Sequence, residues 1–174
     1  WTKLILWVLL ATTASGIRLA AARGAYPSCG DSSHFVQHGV ALAHGVPGAM
    51  STYWSQGMIA IAAQAVNMGK DPRYAMQTTT LISGVIVCLL FTGIVWLLTK
   101  SKYLAFMSGM ILSVNPTMVH YSITGYSEMP YMAFLMAGVC AGLIKRMNSI
   151  LKYGLAGALI GLGGYFKGLD AAVA

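Results

Sequence analysis

The stretch Tyr74-Ala-Met-Gln-Thr-Thr-Thr-Leu-Ile-Ser-Gly-Val-Ile-Val-Cys-Leu-Leu-Phe-Thr-Gly-Ile-Val-Trp-Leu-Leu98 contains no charged residue and no proline. A helix needs about 20 such residues to cross a hydrocarbon core, so the run predicts a membrane-spanning helix. Arg73 stands just before it, and Lys100 and Lys102 just after. The rest of the chain agrees. Of 174 residues 57% are hydrophobic and 9% are charged, and the mean hydropathy is +0.68. That leaves too few charges to coat a soluble domain. Similar apolar runs occur at 4–22, 103 to roughly 122, 129–144 and 150 to about 166. The expected fold is all-α, a polytopic transmembrane bundle of about five spans.

The longest stretch outside these runs is 23–73. Its first half holds Pro27, Gly30, Gly39, Gly45 and Pro47. Its second half, 51–68, reads as an amphipathic helix. Trp54, Met58, Ile61, Ala65 and Met68 share one face, and Thr52, Gln56, Gln64 and Asn67 gather opposite. Whether 51–68 lies on the surface or spans decides the parity of the topology. Lys and Arg in short loops mark the cytoplasmic side. With 51–68 on the surface and the N-terminus cytoplasmic, Lys3, Lys100, Lys102, Lys145, Arg146 and Lys152 all fall inside; Arg18, Arg23, Lys70 and Arg73 remain outside. That arrangement is preferred, with 23–73 as an outer-face loop.

Eleven Lys and Arg stand against four acids, a net charge of +7. No basic stripe with interleaved aromatics accompanies the surplus, which argues against nucleic acid as a partner. The acids are Asp31, Asp71, Glu128 and Asp170, and the preferred topology sets all of them at the outer boundary. Asp71-Pro72 reads as a turn or helix start. Cys29, Cys88 and Cys140 form no disulfide or metal pattern. Gly138 and Gly142, and Gly157 and Gly161, have the four-residue spacing of close helix contacts.

An ordered series of short motifs runs through the chain. After the first span comes Gly30-Asp31-Ser32-Ser33-His34-Phe35-Val36-Gln37-His38, then Ala43-His44-Gly45, Asn67-Met68-Gly69 and Arg73. Asn115-Pro116 lies near the end of the third span, Tyr126-Ser127-Glu128-Met129-Pro130 at the next outer turn, and Gly164-Tyr165-Phe166-Lys167-Gly168 closes the fifth. The series resembles the N-terminal part of GT-C glycosyltransferases that use polyprenyl-phosphate sugars, the broad group of protein O-mannosyltransferases and lipid A aminoarabinose transferases. The resemblance covers essentially all of 1–174.

It implies an inverting integral membrane glycosyltransferase. The sugar would pass from a lipid-linked donor to an acceptor at the outer, periplasmic face of a bacterial-type inner membrane, without a cofactor. Asp31 would match the acid that engages the acceptor or acts as base, Glu128 the second outer acid, and Lys167 a basic position near the donor phosphate. One departure is plain: many members carry two adjacent acids after the first span, whereas Ser32 follows Asp31 here, so Asp31 bears that role alone. Members run to several hundred residues, and the start at Trp1 predicts a piece of a longer protein.

Such a transfer asks for a carboxylate to take the acceptor's proton and a cation to meet the leaving phosphate. Each candidate also has a plainer reading. Asp31 fits a turn or N-cap, Glu128 a first-turn acid favoured by the helix dipole, and Lys167 a snorkelling helix end. His34 and His38, four apart with Asp31 a turn earlier, suit contacts to lipid phosphate, and their spacing also suits a divalent metal. The rival to an enzyme is a non-catalytic accessory or structural subunit that keeps the bundle within a larger membrane complex. A transporter would need paired charges along the spans, and these hold mainly Ser, Thr and Gly.

Overall fold

Asp71 starts the longest helix. Its carboxylate accepts the Arg73 backbone N–H at 2.9 Å, and Pro72 fills the first helical position, where no N–H is needed. A computed structural model describes residues 2–25, 30–50, 53–145 and 147–167. Pro27, Cys29, Arg146, Gly168, Asp170, the side chain of Lys3 and the Ser51-Thr52 start of the expected surface helix lie outside the described residues. Among the described residues there are eight helices and no strand: α1 (Thr2–Ala22), α2 (Asp31–Ala43), α3 (Gln56–Asn67), α4 (Pro72–Thr99), α5 (Lys102–Val114), α6 (Pro116–Ile123), α7 (Glu128–Leu143) and α8 (Ser149–Lys167).

Two stretches are long and apolar enough to cross a membrane, Leu4–Ala22 in α1 and Pro72–Thr99, with mean hydropathies of 1.7 and 2.6. Helices α5 and α7 are apolar but shorter. Helix α8 reaches 19 residues but is diluted by glycines and two lysines. The span expected over 103–122 is not one helix. Asn115 is extended, at φ −62° and ψ 122°, and its side chain accepts the Met118 N–H at 3.1 Å to open α6. Pro116 lacks the N–H that continuation would require, so the run breaks into α5 and α6.

The apolar helices face outward and bury their polar residues. In α4 the buried stripe includes Gln77, Thr80, Ser83 and Thr92, while Ile82 and Leu98 are 52% and 65% exposed. In α1, Leu4, Ile5, Val8 and Leu9 are exposed, whereas Arg18 is fully buried. Its guanidinium donates from Nε to Ser122 Oγ (3.0 Å), from Nη1 to the Ala14 and Ser113 carbonyls (3.1 and 3.4 Å), and from Nη2 to Cys88 Sγ (3.4 Å). The reading of Arg18 as an outer-boundary cation is therefore corrected: it joins α1, α4, α5 and α6 inside the bundle. Gln77 Nε2 donates to the Ile123 carbonyl (2.9 Å) and Thr80 Oγ1 to the Ser122 carbonyl (3.0 Å). These bonds satisfy carbonyls that the short α6 leaves without helical partners.

Close approaches occur where a side chain would not fit. A Cβ on Gly39 would meet Ala62 Cβ and lie 3.0 Å from the Ala63 nitrogen, which sets α2 against α3. One on Gly138 would lie 2.9 Å from the Ala156 carbonyl of α8, while Gly142, Gly157 and Gly161 face open space. Of the two spaced glycine pairs, only Gly138 makes the contact. The expected surface helix also needs correction. Helix α3 buries Gly57, Met58, Ile59, Ala62, Ala63 and Ala65, whereas Met68, assigned to the apolar face, is 59% exposed. Met58, Ile59 and Ala62 join Phe35 and Met76 in an apolar core, with Phe166 packed on it.

Two outcomes are expected from thermal unfolding of the purified chain. Gly138→Ile should lower stability by about 1–3 kcal/mol through overpacking, and Gly142→Ile should leave it unchanged; equal effects would contradict the α7–α8 contact. Arg18→Lys should destabilise by at least ~2 kcal/mol, since an ammonium keeps the buried charge but cannot span the separated acceptors. Arg18→Met should cost less, because the charge leaves with the fork.

Candidate functional site

Three helix ends meet at one cleft. Gly30 turns the chain into α2 at φ 55°, a backbone state that favours glycine, and a Cβ there would lie 2.7 Å from the Tyr126 hydroxyl. Gly30 occupies the N-cap, so Asp31 is the first helical residue and not the cap considered from sequence. Ser33 Oγ donates to the Gly30 carbonyl at 2.6 Å and fixes the turn. Glu128 likewise opens α7. Lys167 ends α8, held by its neighbour: Phe166 stacks on Phe134 with centroids 5.4 Å apart and fills the space beside Gly57, whose missing Cβ would lie 2.7 Å from the ring.

Asp31, Glu128 and Lys167 line one cleft of about 210 Å³ with Phe35, Tyr53, Trp54, Ser55 and Ser127. Lys167 Nζ donates to Glu128 Oε1 at 2.6 Å, the two side chains being 32% and 28% exposed. Glu128 Oε2 is buried and has no hydrogen-bond partner among the described residues. A buried acceptor in that condition ordinarily has a donor beside it. The Asp31 carboxylate stands exposed. Two acids against one lysine leave the cleft net negative, and its aromatic wall offers flat surfaces for an apolar ring face.

The histidines sit beside the cleft. His34 stacks on Trp54, centroids 4.6 Å apart and planes 13° off parallel, so it backs the aromatic wall. His38 turns away, its Nδ1 2.9 Å from the Ala49 carbonyl. Among the described residues no group of three or more His, Cys, Asp or Glu side chains is placed to share a metal ion. Asp71 stays in its own turn, paired with Arg73 Nε at 3.1 Å. Tyr121 and Tyr126 pack on one another with His120.

Sequence reasoning missed Ser55, whose hydroxyl caps α3 by accepting the Met58 N–H at 3.3 Å, together with the aromatic wall and the polar clamp behind Glu128. Gln77, Thr80 and Arg18 hold the end of α6, and from there a four-residue turn leads to Glu128. A lone arginine inside an apolar run was the available signal. Comparison with protein-family models, with curated proteins and with solved structures finds no match for this chain.

A double-mutant cycle on Glu128→Gln and Lys167→Met should return a coupling of about 0.5–1 kcal/mol in unfolding free energy, as for a partly exposed pair. A coupling of zero would mean that the two side chains do not meet in solution.

Proposed function

We propose that the chain is part of an integral membrane glycosyltransferase of GT-C type, with α1, α4, α5 with α6, α7 and α8 as five membrane crossings and the cleft at the outer boundary. What carries the reading is the convergence of Asp31, Glu128 and Lys167 on one cleft from three distant segments. The inward polar and outward apolar faces of α1 and α4 support the membrane part.

In this reading the acceptor O–H or N–H lies between Asp31 and the donor sugar. Its oxygen or nitrogen forms a bond to the anomeric carbon from the face opposite the lipid phosphate. The bond from that carbon to the phosphate oxygen breaks, the phosphate leaves as an anion, and the acceptor's proton passes to Asp31. Glu128 holds Lys167 in place through Oε1 and supports Asp31 from across the cleft. Lys167 neutralises Oε1 and presents its remaining N–H groups toward the departing charge. Ser32 at the position of the family's second acid makes Asp31 the sole base, so the reaction depends on it entirely.

The test uses the full-length protein reconstituted in vesicles with a panel of radiolabelled polyprenyl-phosphate sugars. Asp31→Asn should lower transfer by about 100- to 10,000-fold with membrane insertion unchanged. Undiminished transfer would remove Asp31 from the chemistry. No transfer by the wild type, together with a stoichiometric partner covering the cleft, would establish the accessory-subunit alternative.

A further inference from the structure

The opposite end of the bundle carries a second feature. The first turns of α1, the last turns of α4 and the first turns of α5 come together there: Leu6, Trp7, Thr92, Trp96, Lys102 and Phe106 line one narrow groove. Leu10 continues its apolar floor between the helices and is fully buried. Gly93 and Cys140 sit close by: a Cβ on Gly93 would lie 3.9 Å from Trp7 and 4.0 Å from Cys140 Sγ. The last turns of α7 therefore share this end.

The acids separate the two ends, while cations occur at both: Arg23, Lys70, Arg73 and Lys167 share the cleft end. Among the described residues, Lys100, Lys102, Lys145 and Lys152 lie at the groove end, while Asp31, Asp71 and Glu128 lie at helix starts on the cleft end. No acid among the described residues pairs with these lysines, and two of them rest over aromatic rings: Lys102 Nζ is 5.0 Å from the Tyr103 centroid, and Lys152 Nζ 4.6 Å from that of Tyr153. Aromatic rings with a cation at the mouth of an apolar slot match the two parts of a lipid at the headgroup level.

We infer that this groove marks a binding site for an anionic phospholipid, one acyl chain lying across Leu6, Trp7 and Phe106 over a crevice of about 30 Å³ that is too small to take the chain in, and the headgroup phosphate meeting Lys102. The proposal rests on the membrane reading of α1 and α4 and is independent of the transferase chemistry. Charge selects the occupant. A zwitterionic lipid would bring its own ammonium to an end already holding four lysines, whereas a phosphatidylglycerol-type headgroup brings only negative charge. The groove is a fixed site for one molecule, and the scattered lysines around it attract anionic lipid only diffusely.

The experiment reads the groove's own indoles. The full chain with Trp1→Phe and Trp54→Phe leaves Trp7 and Trp96 as the fluorophores. It is reconstituted in phosphatidylcholine nanodiscs containing increasing fractions of phosphatidylglycerol with brominated acyl chains, and in a parallel series with brominated phosphatidylcholine. Quenching should saturate at a lower fraction of the brominated anionic lipid than of the zwitterionic one. Lys102→Gln should raise the half-saturating fraction of phosphatidylglycerol about fivefold, the worth of one lysine at an anionic surface, and Lys152→Gln should leave it unchanged. Equal quenching by both lipids would overturn the site while leaving the membrane reading intact. Equal shifts from Lys102→Gln and Lys152→Gln would also overturn it, in favour of diffuse attraction. No quenching by either lipid would overturn both the site and the membrane reading, whatever the outcome of the transfer assay.

Discussion

A guanidinium with no access to solvent sits where four helices meet, and the surrounding structure is arranged around that constraint. Among the described residues no carboxylate touches Arg18; it is held by two carbonyls, a hydroxyl and a thiol. Neutral acceptors can stabilise a buried cation only in number and with the right spacing. The break at Asn115-Pro116 helps to supply them. Ending α5 early frees the Ser113 carbonyl at the negative end of a helix dipole, and starting α6 brings Ser122 alongside. Gly84 makes room, since a Cβ there would collide with Ser122 Oγ and lie 2.8 Å from Arg18 Nε. Polar side chains thus line part of the bundle interior, while large apolar side chains of α1 and α4 face outward.

From this hub the cleft follows by short steps. Ser122 accepts Arg18 Nε and donates to the Met118 carbonyl, and Thr80 and Gln77 take the last carbonyls of α6. The next turn delivers Glu128 as the first residue of α7. On the other side, the packing of Phe35, Met58, Ile59 and Met76 sets α2 and α3 against α4, and Asp31 comes with α2. The acid pair is positioned by two independent pieces of core, one polar and one apolar.

Much of this was legible in the sequence because helix length and hydropathy are local properties. The runs at 4–22, 74–98, 129–144 and 150–166 match α1, α4, α7 and α8 within one or two residues at most ends. Asp31 and Glu128 were legible together because acids are scarce and the expected topology put them at one boundary, whereas Lys167 was legible only through the family resemblance. What failed depended on partners. The buried stripe of α3 is chosen by Gly39 of α2 and Phe166 of α8, which an isolated helical wheel does not contain. Arg18 counted as a boundary cation because charge rules treat each cation alone, whereas its acceptors come from residues 88, 113 and 122. Asn115-Pro116 was noted as a motif, yet its steric meaning, a helix end, was the more informative part. The glycine pairs show the same limit: spacing permits a close approach, and only at Gly138 does a neighbouring backbone take it.

The Glu128–Lys167 pair joins residues 39 positions apart, and that separation matters while the chain is being made. A ribosome delivers α7 well before the end of α8, at a rate of ~5–20 residues per second. For that interval Glu128 stands at its helix start without its counter-ion. Only the arrival of α8 neutralises the carboxylate and closes the wall of the cleft. Completion of the cleft therefore waits for α8, and a chain that stops short of it leaves Glu128 without its lysine.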